Sequence, residues 1–130
     1  MSPEQKIKSA ILIAAAKNGD VYPNRVIDSS NIDELYDIEN EEGILDEYMN
    51  EMREGEIETR VPCEYSRHYE SKSVAAQAAD GSWVGWAYWY GGGKHGCPEE
   101  IDWISSAYDL DCVEEEKMVT VRTFTKKDIT

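Results

Sequence analysis

The chain has 130 residues, enough for one ordinary domain, and 41% of them are hydrophobic. Four Trp and eight Tyr supply apolar area for a core, which argues against intrinsic disorder despite a formal net charge of −14. That charge disfavours nucleic acid and membrane surfaces as partners, and no apolar run approaches the roughly 18 residues of a membrane-spanning helix.

The first predicted element is a capped helix. Ser2 is a suitable N-cap, Pro3 fits the first helical position, and Gln5 completes a capping box. The apolar residues that follow share one helical face, and Gly19 is a natural stop. The segment around Pro23 is expected to be a loop.

An acidic helical region comes next, but its apolar positions do not form one stripe. At about 100° per residue, the apolar group around Leu35 lies about 140° from the group around Tyr48. One straight helix cannot bury both groups against one core. We therefore predict two short helices, 31–39 and 42–54, the second of which ends at Gly55.

The middle of the chain has a β pattern. Residues 61–79 mix aromatic and small residues, and Asp80-Gly81 is a signal for a two-residue hairpin turn. Trp83–Tyr90 is apolar on both faces, which indicates a central strand. The glycine-rich loop Gly91–Gly96 follows it.

The last third is predicted to hold one helix and one strand. Pro98, with carboxylates in the first turn after it, indicates a helix start. Met118–Phe124 has the pattern of a final strand. The whole order predicts an α+β fold: N-terminal helices plus a small antiparallel sheet of three to four strands, with one further helix before the last strand. We expect one domain over 1–130, helical over 1–58 and β-rich over 59–130.

Negative charge is concentrated in two blocks. Residues 28–58 contain thirteen acidic residues and one basic residue, and residues 99–116 contain eight acidic residues and no Lys or Arg. The blocks therefore carry −12 and −8, while the rest of the chain sums to +6. A field patterned in this way attracts basic protein surfaces.

The acidic helices suggest imitation of a nucleic-acid backbone. On the helix over 42–54, Asp46, Glu47, Glu51 and Glu54 lie opposite the apolar face. Residues three and four apart on a helix are roughly 5–6 Å apart, and each DNA strand presents a charge about every 3.4 Å of axis. A row of carboxylates can therefore approximate a row of phosphates. The alternative is an ordinary solvated face that keeps the chain in solution.

The loop Gly91–Gly96 adds Lys94 and His95 to an otherwise acidic chain. Its glycines allow positive φ and close approach of a ligand. The P-loop pattern requires Ser or Thr after the Lys, and here His95 follows, so a phosphate site is disfavoured. A structural turn and a partner-contact loop both remain open.

Metal and enzyme sites are weakly indicated. The calcium-loop pattern is absent around Asp109. His95-x-Cys97 is the one close pair among the residues that could ligate a metal, which are Cys63, His68, His95, Cys97 and Cys112. The odd number of cysteines and the lack of a secretion signal favour reduced thiols and a cytoplasmic location. We expect no enzyme activity, no cofactor and no metal.

The run WVGWAYWYGGGKHGCPEEIDW, Trp83–Trp103, resembles a block in small proteins of phages and prophages. The resemblance covers mainly the C-terminal half and implies a phage or mobile-element setting in a bacterial host. Small acidic phage proteins often bind and disable host machinery, including CRISPR complexes, restriction enzymes and other nucleases. The resemblance transfers no catalytic residue.

Charge and resemblance together favour a non-enzymatic inhibitor whose acidic, DNA-mimic-like surface blocks the basic groove of a host nucleic-acid-binding protein. The expected contact residues are Asp33, Glu34, Asp37, Glu41, Glu42, Asp46, Glu47, Glu51, Glu54, Lys94 and His95. The alternative is an accessory domain that binds a protein or small ligand through the aromatic strand and the loop Gly91–Gly96. A symmetric homodimer, the commonest oligomer, would extend the charged surface.

Overall fold

Three helices precede a four-stranded antiparallel sheet in the computed structural model, which describes residues 1–21 and 26–128. The helices are α1 (Pro3–Lys17), α2 (Ile32–Glu39) and α3 (Asp46–Arg53). The strands, adjacent in chain order, are β1 (Ile57–Glu58), β2 (Glu70–Gln77), β3 (Trp83–Tyr90) and β4 (Tyr108–Leu110). The predicted α+β class, with the helices first, is confirmed.

Helix α1 begins with the predicted capping box. The Gln5 N–H donates to Ser2 Oγ at 3.2 Å, and the Ser2 N–H donates to Gln5 Oε1 at 2.9 Å. Two otherwise unpaired backbone donors are satisfied in this way. Gly19 follows the helix with φ of +79°, as the predicted stop requires. The loop predicted around Pro23 lies largely outside the described residues.

Two short helices form in the acidic region, as predicted, and both bury apolar residues in the same core. Leu35 and Tyr36 of α2 and Tyr48 of α3 are buried, and Leu45 beside α3 is fully buried. Gly55 has φ of +71° and turns the chain from α3 into β1. The core also contains apolar residues of α1, β2 and β3.

Strands β2 and β3 form the predicted hairpin, but the predicted two-residue turn is wrong. The strands pair along all eight residues of each, and the Ala78 N–H donates to the Ser82 carbonyl at 2.7 Å beyond them. Three residues, Ala79–Gly81, therefore form the loop. Gly81 has φ of +89°, a left-handed conformation that hairpin loops of this length require.

The aromatic strand β3 lies between β2 and β4, so its predicted central position is confirmed. Val84 and Trp86 are buried against the helices. On the opposite face, a Cβ on Gly85 would lie 2.7 Å from the Tyr108 ring, so β4 packs closely because this position has no side chain.

The helix predicted from Pro98 is wrong. Two three-residue 3-10 helices, Pro98–Glu100 and Ile104–Ser106, stand in its place, separated by the extended backbone of Ile101. Asp102 causes part of this break, because its carboxylate accepts hydrogen bonds from the Ser105 N–H and Oγ. Such local bonds compete with helical ones.

The predicted strand Met118–Phe124 is also wrong. Residues 111–128 form no regular structure and are exposed throughout. A strand needs a neighbour to bind its backbone groups, and the stretch between Asp109 and Lys117 contains no Gly, Pro or Asn to make a tight turn back to β4. β4 is therefore the last strand of the described chain.

Candidate functional site

The nine predicted acidic contact residues are all exposed. They follow one another along α2, the connection after it, α3 and the residue next to α3. Because the apolar sides of both helices pack on the core, their carboxylates face solvent. We call these nine residues the acidic surface: Asp33, Glu34, Asp37, Glu41, Glu42, Asp46, Glu47, Glu51 and Glu54.

Asp33 differs from the other eight because α1 offsets its charge. Lys8 Nζ lies 3.1 Å from one carboxylate oxygen, and Gln5 Nε2 donates to the other at 3.1 Å. The hydrogen bond from Lys8, and then that from Gln5, lowers the pKa of Asp33 below its ordinary value. Among the described residues, the other eight carboxylates form no ion pair, so the surface stays strongly negative.

Arg53, the one basic residue of the first acidic block, is turned towards the sheet. Its guanidinium carbon lies 4.9 Å from the Tyr88 ring centroid, and its Nη1 donates to the Trp89 carbonyl at 2.8 Å. The Trp86 indole N–H in turn donates to the Arg53 carbonyl at 2.8 Å. Arg53 thus joins the end of α3 to β3 and pairs with no carboxylate of the described chain.

Two buried tyrosines hold the acidic helices to the core. The Tyr48 hydroxyl donates to the Asp20 carboxylate and accepts from Asn18 Nδ2 at 3.2 Å, which ties α3 to the end of α1. The hydrogen bond to Asp20 is the main cause that raises the pKa of Tyr48. Burial, helped by the charges of Asp46 and Asp37, raises the pKa of Tyr36.

The two acidic blocks meet at a groove of about 410 Å³ between α3 and residues 99–104. Asp46, Met49 and Asn50 line one side, and Glu99, Glu100 and Asp102 line the other. The apolar floor is formed by Ile101, Trp103 and Ile104. All four carboxylates are exposed, whereas Trp103 and Ile104 are buried. We call this feature the acidic groove.

Glu99, Glu100 and Asp102 are site residues that the prediction missed. The −8 charge of their block was a signal, but it carries no information on which helix they approach. Their position depends on Trp103, whose ring centroid lies 5.0 Å from that of Trp86 in the core. That packing brings residues about fifty positions apart in sequence to one groove.

Lys94 and His95 lie in a tightly folded loop at the end of β3. Both are exposed on the 3-10 turn Gly93–His95, and neither side chain forms an ion pair with another described residue. A Cβ on Gly92, whose φ is +86°, would lie 2.5 Å from the Tyr69 ring, so this glycine serves close packing. No ion pair links the two cations to the acidic surface within the described chain.

A second groove, of about 530 Å³, lies on the sheet face opposite the helices. Trp89, Ala87 and Tyr108 contribute to it from the sheet, and Tyr69 lines it from the loop before β2. Lys94 and His95 are not among its lining residues. The aromatic strand and the glycine loop, which the alternative hypothesis combined, therefore do not share this groove.

No metal-binding group of side chains and no disulfide are found among the described residues. Within 1–21 and 26–128, no three His, Cys, Asp or Glu residues are grouped to hold a metal ion. Cys63, Cys97 and Cys112 are free thiols, the first half-buried and the others exposed. None of the described helices is both long and apolar enough to cross a bilayer.

Comparisons with models of protein families, with characterised proteins and with solved structures found no match to this chain. The resemblance of Trp83–Trp103 to phage proteins therefore stays a prediction. Function is inferred from the charges, burial and distances of the described residues.

Proposed function

We propose that this protein is a non-enzymatic inhibitor that binds the basic groove of a nucleic-acid-handling protein through its acidic surface and acidic groove. The observation that carries the proposal is the acidic groove, where carboxylates of both charge blocks surround an apolar floor. Carboxylates of the two blocks therefore line one groove, although a long stretch of sequence separates them.

The groove has the chemistry that lysine and arginine side chains require. Each has an apolar stem and a cationic head, and the stem packs on apolar surface while the head stays near polar groups. Ile101 and Met49, both half-buried, offer that apolar surface, and Asp46 and Glu100 offer carboxylates beside it. Charge-assisted hydrogen bonds to such carboxylates are stronger than neutral ones. The residues that a nuclease uses to hold phosphates are the ones that would bind here.

The unpaired carboxylates of the acidic surface would steer the encounter. Eight of the nine have no ion-pair partner in the described chain, so little of their field is cancelled internally. Association with a basic partner should be fast and strongly weakened by salt. A phage or mobile-element origin and action in the host cytoplasm, against a CRISPR complex, a restriction enzyme or another nuclease, follow from the resemblance alone.

The test is capture of partners from a nuclease-treated bacterial lysate on the tagged chain, followed by washes of rising salt. We expect a nucleic-acid-binding protein that salt releases. Glu47→Lys/Glu51→Lys should weaken its binding about tenfold or more, because two attractive charges become repulsive. Glu64→Lys/Glu70→Lys changes the net charge equally at exposed positions outside the acidic surface and should have little effect.

Two outcomes would contradict the proposal. One is equal binding by the wild type and by a folded Glu47→Lys/Glu51→Lys variant. The other is a partner retained through high salt and lost in Trp89→Ala, which would support the alternative accessory domain. That alternative draws on the groove of about 530 Å³ that Trp89 lines.

A further inference from the structure

Residues 111–128 expose several large apolar side chains. Met118, Val119, Val121 and Phe124 are 105%, 78%, 83% and 85% exposed. Val, Thr and Phe favour strands, and they fill most of Met118–Phe124. A strand-forming sequence without a neighbouring strand leaves both its apolar side chains and its backbone groups in water.

The charges that flank this run have opposite signs at its two ends. Glu115 and Glu116 precede it, with Lys117 between them and Met118, and Lys126 and Lys127 follow it. Val121 is at the midpoint of both pairs, because it lies six residues from Glu115 and six from Lys127. Over residues 115–127 the end charges are thus complementary when the sequence is read in the opposite direction, whereas Glu114 and Asp128, one position further out, have the same charge.

We propose that residues 115–127 form a homodimerisation strand, which pairs antiparallel with the same residues of a second copy, with Val121 on the two-fold axis. In this register Glu115 lies opposite Lys127 of the partner subunit, and Glu116 lies opposite Lys126 of the partner subunit. Symmetry repeats both pairs, so four opposite-charge pairs close the two ends of the ribbon. Opposite charges placed directly across antiparallel strands stabilise the pairing.

The same register pairs the apolar side chains. Met118 lies opposite Phe124 of the partner subunit, and Val121 lies opposite itself. Paired positions have the same parity, so each pair shares one face of the ribbon. A parallel arrangement in register would instead place Glu on Glu and Lys on Lys. The charges therefore select the antiparallel arrangement, and the two-fold makes the interface self-complementary.

Within the described chain, residues 115–127 have few stabilising contacts with the rest of the protein. The stretch from Asp109 to Lys117 has no Gly, Pro or Asn that would fold it back on β4, and its ion pair, Lys117 with Glu115 at 3.6 Å, is largely exposed. A two-stranded ribbon is only marginally stable on its own. The four charge pairs and the Met118–Phe124 contacts should therefore decide whether the dimer forms, and salt should weaken it.

The test is sedimentation of the full chain over a range of concentrations, with charge-reversed variants. Wild type should form dimers. Glu115→Lys/Glu116→Lys and Lys126→Glu/Lys127→Glu should each weaken dimerisation about tenfold or more, because every charge pair becomes a like-charge pair. An equimolar mixture of the two variants should dimerise again, since each end of the mixed ribbon regains opposite charges. Glu64→Lys/Glu70→Lys serves as the control and should dimerise as the wild type does.

Each contrary result overturns the proposal: a wild type that stays monomeric, reversed variants that dimerise unchanged, or a mixture that stays monomeric. A second measurement checks the register directly. In a variant with all three native cysteines changed to Ser, Val121→Cys should form a disulfide-linked dimer on oxidation. Met118→Cys, which faces Phe124 of the partner subunit, should cross-link far less, and equal cross-linking would reject the register.

Discussion

Two segments of this chain have strand-forming sequences, but only one of them forms a strand. Trp83–Tyr90 forms β3 and has strands on both sides, with Val84 and Trp86 buried in the core. Met118–Phe124 is exposed and has no regular structure. Both are rich in β-branched or aromatic residues, so intrinsic preference does not separate them.

The difference lies in what the neighbouring sequence supplies. Before β3, the loop Ala79–Gly81 reverses the chain and aligns β2 as a partner. Between β4 and Met118 the chain has three consecutive glutamates, Glu114 to Glu116, and no Gly, Pro or Asn. A helix makes its backbone hydrogen bonds within itself, whereas a strand makes them with a second segment that must lie beside it. The proposed dimer would supply that second segment from another copy.

The largest expected effect is on stability, and it should differ between a buried residue of β3 and an exposed residue of Met118–Phe124. Val84→Ala should lower the free energy of unfolding by about 2–3 kcal/mol, because it removes two buried methyl groups and leaves a cavity. Val121→Ala, the same change at an exposed position, should stay within about 0.5 kcal/mol. Denaturant unfolding of the monomeric chain measures both. Similar losses in the two variants would show that the two segments do not differ in burial.

The turn residue should have the next largest effect. Gly81→Ala should destabilise the protein by about 1–2 kcal/mol, because an L-residue is strained at φ of +89°. Nothing lies within 4 Å of the added Cβ, so the loss would come from the backbone alone. Denaturant unfolding of Gly81→Asn is the control, since Asn tolerates this conformation better. Equal losses in both variants would argue against a backbone origin.

The smallest expected effect concerns the contact between α1 and β4, the last strand of the described chain. Lys6 Nζ donates to the Asp109 carboxylate of β4 at 2.9 Å, and this hydrogen bond is the main cause that raises the pKa of Lys6 above 10.5. A raised pKa means that the stabilisation is complete below pH 10.5 and is lost as the pH rises through the folded value. Lys6→Met should therefore lower the unfolding midpoint at pH 8 and make less difference at high pH.

Lys17→Met, an exposed change on the same helix, is the control for that pH series. It should shift the midpoint little at either pH. If Lys6→Met and Lys17→Met behave alike, the contact between α1 and β4 does not stabilise the last strand.

Local features of the sequence predicted the helices and the inner hairpin. The capping box joins Ser2 and Gln5, which are three residues apart. The change of apolar face between Leu35 and Tyr48 is visible in one short stretch of sequence and predicts two helices. β3 was predictable because its pattern and the turn signal before it agree. These features depend on neighbours along the chain, which a sequence displays directly.

Features that depend on distant partners were not predictable. The helix expected from Pro98 is absent, and Trp103 packs instead on Trp86, 17 positions earlier in the chain. The acidic groove depends on that same packing. The pairing of Asp33 with Lys8 joins residues 25 positions apart, and nothing local identifies Asp33 as the carboxylate that is offset.

The inward orientation of Arg53 has a consequence for the mobile ions around the protein. Because this guanidinium contacts Tyr88 and the Trp89 carbonyl, the acidic helices are left without a cation of their own. Sodium and potassium ions from solution should gather beside the carboxylates, as they gather beside the phosphates of DNA. A basic surface that docks there would return those ions to bulk solvent. Part of the drive for association would then be the entropy of the released ions.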